Sequence, residues 1–292
     1  FIKDLNITGS LMVLLKDAIK PNVVQTLENN AMFVHGGPFA NIAHGCNSIL
    51  ATKLALKLSD YVITEAGFGV DLGAEKFLDI KCQEANLSPS AVVIVATVRA
   101  LKYHGGQALD TLKEENVDAL EKGIENLEKH LETIETFNLS AVVALNKFSS
   151  DTEKEISFLL DWAKRKGVRI SLSEVFEKGS KGGLDLARKV IESIEDRVYR
   201  PLYNIHDSLF DKINVISKKA YGASGVTFSD EAIEVLKSYD KTYRHFYVCM
   251  AKTQSSLSDD PKKTGRPRDF TIHIKEVRIS TGSRFIICLT GS

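Results

Sequence analysis

The residues best suited to chemistry stand just past short β-branched runs. In an open α/β sheet, ligands bind beyond the carboxyl ends of the strands, so these corners would share one edge. Six occur: His35 to Asn41, Glu65 to Gly69, Arg99 to Gly106, Asn146 to Asp151, Ser173 to Gly179, and Ala251 to Gln254. Each mixes small residues with charges or aromatics, and their joint occurrence exceeds what loop solubility requires. Arg99 and Lys102 are three apart directly after an apolar run, so both cationic heads can point the same way at a strand end. Such a pair suits an anionic ligand, while a salt bridge to Glu65 or Asp71 is the competing reading. Phe148 and Phe176 stand at equivalent places after two strands expected to be neighbours. Two such aromatic faces can hold a flat heterocycle, or both rings can simply pack into the core or between domains.

Several tempting motifs fail on spacing. Gly67, Gly69 and Gly73 are one residue too long for G-x-G-x-x-G, and Asp151 comes two positions late for an Asn-Lys-x-Asp corner begun by Asn146 and Lys147. No G-x-x-x-x-G-K-[ST] phosphate loop occurs anywhere in the chain. His35 and His44 lack a carboxylate or Cys at metal spacing, so ordinary hydrogen-bonded histidines are expected and no metal ligand is assigned.

The elements that must position these corners follow an α/β pattern, a β-branched run, then a corner, then a helix-period stretch. Strands are expected at Ala31–Val34, Tyr61–Thr64, Ala91–Thr97, Ala141–Leu145, Arg169–Leu172 and Tyr247–Met250. Several are apolar almost throughout, as in a mostly parallel sheet covered on both faces. From Glu114 to Phe137, Val117, Leu120, Ile124, Leu127, Leu131 and Ile134 recur at spacings of three and four, which predicts a long amphipathic helix. The rhythm restarts at Ser140, so a division into residues 1–130 and 131–292 is expected. Further on come a helix around Leu209 to Ala220, a turn at Tyr221–Gly225, a helix from Asp230, and a hairpin made of Phe270–Ile279 and Arg284–Leu289.

With 38 Lys plus Arg against 38 Asp plus Glu, no net field steers the chain onto nucleic acid or an anionic membrane. Its longest apolar runs are too short to span a bilayer, and no charged-then-apolar leader opens it. Cys46, Cys82, Cys249 and Cys288 are dispersed within mostly apolar runs, as buried thiols in a reducing cytoplasm would be. A chain that opens at Phe1 without Met and stops at Ser292 is expected to be a segment of something longer.

Longer stretches carry a resemblance. Lys16 to Asn22, His35 to Gly45, Thr64 to Gly69, Val95 to Gly106, Leu145 to Phe148, Ser173 to Val175 and Ala251 to Gln254 closely resemble formate–tetrahydrofolate ligase, and the similarity runs through essentially the whole chain. The resemblance implies a P-loop-NTPase-like, mostly parallel sheet in the remaining part of a nucleotide domain, followed by a second α/β domain. It also implies ATP-dependent joining of formate to N10 of tetrahydrofolate through formyl phosphate, with Mg²⁺, a monovalent cation (K⁺ or NH₄⁺) and a homotetramer. Ala40, Phe68 and Gly69 match the nucleotide side, and Phe148, Ser149, Leu172 and Phe176 match the pterin clamp. From their strand ends, the corner of Glu65 to Gly69 is expected near the nucleotide base and that of Arg99 and Lys102 near the anionic reaction centre. Relatives commonly carry Trp at the position of Phe176 and Pro at that of Ser149, and their phosphate loop belongs to a part preceding Phe1. The segment alone is therefore expected to be inactive. A non-catalytic folate- or nucleotide-binding or assembly module is the alternative, and an NAD(P)-dependent oxidoreductase is a weaker one.

Overall fold

The computed structural model describes residues 2–35 and 45–291. It is α/β, as the patterning predicts, but its strands fall into three separate sheets. β1 (Asn22–Gln25) and β2 (Ala31–Val34) make an antiparallel hairpin. β3 (Val92–Ala96), β4 (Ala141–Asn146) and β5 (Ile170–Ser173) form a parallel sheet in that order. β6 (Gly225–Phe228), β7 (Tyr247–Ala251), β8 (Thr271–Ser280) and β9 (Phe285–Thr290) form a mixed sheet in the order β6-β8-β9-β7.

The single-edge picture of six corners is therefore corrected. β2 belongs to a hairpin, so the corner after it does not border the parallel sheet. Tyr61 to Thr64 forms no strand and pairs with no described strand, and Tyr61 and Ile63 stand exposed. β-branched content marks a segment fit for a sheet, yet the ladder forms only where a partner strand is present. β7 ends at the mixed sheet. Three corners, those after β3, β4 and β5, do share one edge, with Ala96 opposite Leu145 and Leu145 opposite Leu172. This sheet takes β3 from before position 130 and β4 and β5 from after it.

The amphipathic helix spans Val117–Thr136, its start fixed by the Asn116 side chain, which accepts from Ala119 N at 2.9 Å. It crosses the helix Val98–His104 with the backbones in contact. A Cβ on Gly123 would sit 1.7 Å from Leu101 O, and one on Gly105 would sit 1.7 Å from Ala119 O. Only a residue without a side chain permits that approach. The core continues from here through Leu120, Ile124, Leu127, Val143 and Leu145 into the mixed sheet at Val248, Met250, Ile272, Ile274 and Ile286.

Val70–Ala74 and Phe77–Cys82 wind as π-helix, a rare form that tends to mark functional sites. This stretch buries Glu75, Lys76, Asp79 and Lys81 almost completely. Lys81 Nζ donates to Thr52 Oγ1 at 2.8 Å, and Asp79 Oδ1 accepts from Leu202 N at 2.7 Å. Burial raises Glu75 to about 7, and burial together with the neighbouring Glu75 carboxyl holds Asp79 well above the usual carboxylate range. A charge on Glu75 therefore opposes ionisation of Asp79.

Candidate functional site

After β3, Thr97 caps the following helix by accepting from Ala100 N at 3.1 Å, which aims the first turn at the corner after β4. Arg99 then lies over the Phe148 ring, its guanidinium carbon 4.8 Å from the centroid, and donates through Nη2 to Ser150 Oγ at 3.1 Å. One turn later, Lys102 points the other way. Its ammonium is 1% exposed and donates to Glu155 Oε1 and to Glu114 O, each at 2.8 Å. The expected bridge to Glu65 or Asp71 is thus made to a carboxylate 53 residues along the chain.

Glu155 is the hub of this corner. Its Oε1 also accepts from Asn116 N at 3.0 Å, and its Oε2 accepts from Thr152 N at 3.1 Å, completing a capping box at the start of the helix Glu153–Lys166. Burial alone would raise this carboxyl, but Lys102 and the Asn116 and Thr152 amides outweigh it and hold it below the usual range. The corner after β4 is closed by Asp151, which accepts from Phe148 N at 2.8 Å and returns its own N–H to Phe148 O at 3.0 Å. Burial raises the Asp151 carboxyl despite that amide.

Glu174, following β5, accepts from Lys147 at 3.0 Å and from Lys178 at 2.5 Å, tying the second and third corners together. Phe176 sits in the short helix Val175–Lys178 and is 94% exposed. Phe148 is 37% exposed beneath Arg99, Ser149 beside it is exposed, and Leu172 is half-buried opposite Leu145. At 94% exposure the Phe176 ring is not part of the core of the described residues.

On the nucleotide-side expectation, Glu65, Phe68 and Gly69 are exposed in a corner that does not leave a paired strand. Phe68 holds φ +45°, a conformation uncommon for a bulky residue and characteristic of sites where strain is tolerated. Ala40 lies outside the described residues. The neighbouring Asp71 turns inward instead. Lys252 donates to it at 2.6 Å and also to Thr253 O and Ser256 O, while His104 and His130 face the same carboxylate. Burial pushes the Asp71 carboxyl up, but Lys252 and His130 hold it below its usual range.

The sequence reading missed Glu155, Glu75, Asp79 and the Asp71–Lys252 pair. For Glu155 alone a signal existed, the Thr152-x-x-Glu155 spacing of a capping box.

The parallel-sheet edge of this α/β protein thus presents one nearly bare aromatic ring, a second ring backed by a guanidinium, and a frame of internally paired charges. The chain matches the family model of formate–tetrahydrofolate ligase over residues 1–292, and it belongs to that family.

Proposed function

We propose that the corners after β3, β4 and β5 form the tetrahydrofolate side of an ATP-dependent formate–tetrahydrofolate ligase. The pterin would lie between Phe148 and Phe176, with Ser149 and Leu172 at its border and the Arg99 guanidinium facing the acyl phosphate. The observation that carries this reading is the 94% exposure of Phe176 on a corner whose strand, β5, pairs with β4, the strand preceding Phe148. Lys102 is assigned a framing part, because its ammonium is already committed to Glu155. In the reaction, formate oxygen attacks the γ-phosphorus and ADP leaves. N10 of tetrahydrofolate then attacks the formyl carbon, phosphate departs, and N10 gives up its proton. Positioning and stabilisation of spread anionic charge, here by Arg99, are the protein's contributions.

The nucleotide reading of Glu65, Phe68 and Gly69, with Ala40, belongs to the same proposal. Mg²⁺ and a monovalent cation (K⁺ or NH₄⁺) belong to the same proposal through the family alone; among the described residues no group of three His, Cys, Asp or Glu side chains is placed to hold a metal. The sequence has no phosphate loop. Its exposed apolar face supports a covering body that would bring one. The helix Thr8–Leu15 buries nothing, the helix Ile49–Leu58 exposes Leu50, Leu54, Leu56 and Leu58, and edge strand β3 exposes Val93 and Val95. Exposed apolar side chains in such number suit an interaction surface, which fits an assembly such as a tetramer and a segment inactive alone. Four buried thiols that form no disulfide suit a reducing cytoplasm, and no described helix is long and apolar enough to cross a membrane.

Phe176→Ala in the full-length protein tests the clamp. Each aromatic partner adds about 0.5–1.5 kcal/mol beyond burial, so the tetrahydrofolate KM is expected to rise by up to about tenfold with those for ATP and formate unchanged. A stable variant with an unaltered tetrahydrofolate KM removes Phe176 from the site. Product formed from ATP and formate by the purified 292-residue chain would overturn its expected inactivity.

A further inference from the structure

We propose that Arg99 is a positioning residue for the Phe148 ring as well as an anion ligand, so that a phosphoryl or carboxylate group and the heterocycle bind cooperatively. The inference rests on the reading of Phe148 as a pterin face. Arg99 acts on the corner after β4 by two contacts and by its charge. The guanidinium carbon lies 4.8 Å from the Phe148 centroid, Nη2 donates to Ser150 Oγ at 3.1 Å, and its charge acts on Asp151, which accepts from the Phe148 amide. One cation thereby orders both the ring and the loop that carries it.

The same guanidinium is under-used. Nε has no acceptor among the described residues, and Ser150 engages one of five N–H donors. The planar fork matches a phosphoryl or carboxylate edge while its face remains stacked on an arene, which an ammonium cannot do. An oxyanion on the fork fixes the guanidinium plane, and that plane fixes the ring against which it rests. The heterocycle then meets a ring already ordered, so less freedom is lost on binding. Linkage makes the effect reciprocal.

The test uses the full-length protein, with inorganic phosphate as the anion probe and tetrahydrofolate as the heterocycle, both followed by isothermal titration calorimetry. Saturating phosphate is expected to tighten tetrahydrofolate by about fivefold, the low end of ordinary coupling, and tetrahydrofolate should tighten phosphate by the same factor. In Arg99→Lys and in Phe148→Leu the factor should fall to one, although each variant still binds its ligands more weakly. A factor of one in the unmodified protein, or a full factor in either variant, overturns the proposal. If Arg99→Lys does not fold, Phe148→Leu decides alone. Phe176→Ala separates the two layers. Unchanged tetrahydrofolate affinity there sinks the clamp itself, whereas weakened affinity together with a coupling factor of one sinks only the role of Arg99.

Discussion

Replacing Lys102 by Met separates two parts that its position in the chain allows, reaction-centre cation or internal frame. The pair it makes with Glu155 is 2.8 Å long, with side chains 1% and 0% exposed. Met fills most of the volume but leaves a buried carboxylate without its cation, a loss of about 3–5 kcal/mol in comparable pairs. Asn116 N, Thr152 N and Thr152 Oγ1 still donate to that carboxylate, which places the expectation at about 3 kcal/mol. For a chain of this size that is a Tm lowered by about 6–12 °C. The pH dependence follows from the same pair. In the parent the Glu155 carboxyl is depressed, so its stability is present above the unfolded value of 4.5 and is lost as pH falls through the folded value. In Lys102→Met, burial dominates and the folded value rises, so a penalty develops as pH increases. The gap between the two proteins should therefore be wide in urea titrations at pH 7.5 and narrow at pH 4. A variant as stable as the parent at pH 7.5, with kcat down by orders of magnitude, would refute the framing role and make Lys102 a reaction-centre cation.

Two further outcomes test the buried parts of the fold. Glu75 is raised from 4.5 to about 7, so stability is full below pH 4.5 and is lost as pH rises through 7; the shift corresponds to about 3 kcal/mol. Glu75→Gln should flatten this decline between pH 5 and 8 in urea titrations, and an unchanged slope would contradict the assignment. Gly123→Ala places a methyl 1.7 Å from Leu101 O and should cost about 3 kcal/mol or more, whereas Gly282→Ala, with nothing within 4 Å, should stay within about 0.5 kcal/mol. Equal melting temperatures for the two would mean that the helices can part without loss.

What the sequence revealed depended on how local each determinant was. The helix Val117–Thr136 was legible because its apolar stripe repeats over five turns, and β3, β4 and β5 because apolar runs end at breakers. Tyr61 to Thr64 carried the same signal and failed, since nothing in four residues says whether a partner strand will be there. β1 was missed because all four of its residues are exposed, and β6 because Gly225 reads as the end of a turn. Within the site, the three-residue spacing of Arg99 and Lys102 was visible, but not that their heads diverge. Lys102 is drawn to a carboxylate on another helix, and only tertiary packing decides that.

The distribution of charge and aromatic surface at the three shared corners argues for a ligand there independently of family. Lys102, Glu155, Lys147 and Glu174 are paired with one another, and Asp151 closes its own loop, so the frame satisfies itself. Phe176 is what the frame leaves over. Burying a Phe side chain is worth about 1.5–3 kcal/mol, and at 94% exposure almost all of that is forgone. No described contact offsets it, and a polar residue in the same short helix would serve the fold at least as well. A flat heterocycle stacked on the ring recovers part of the forgone burial and gains the aromatic contact as well. Under the clamp proposal a pterin would recover part of that energy on binding, while the self-paired corners around it present the ring.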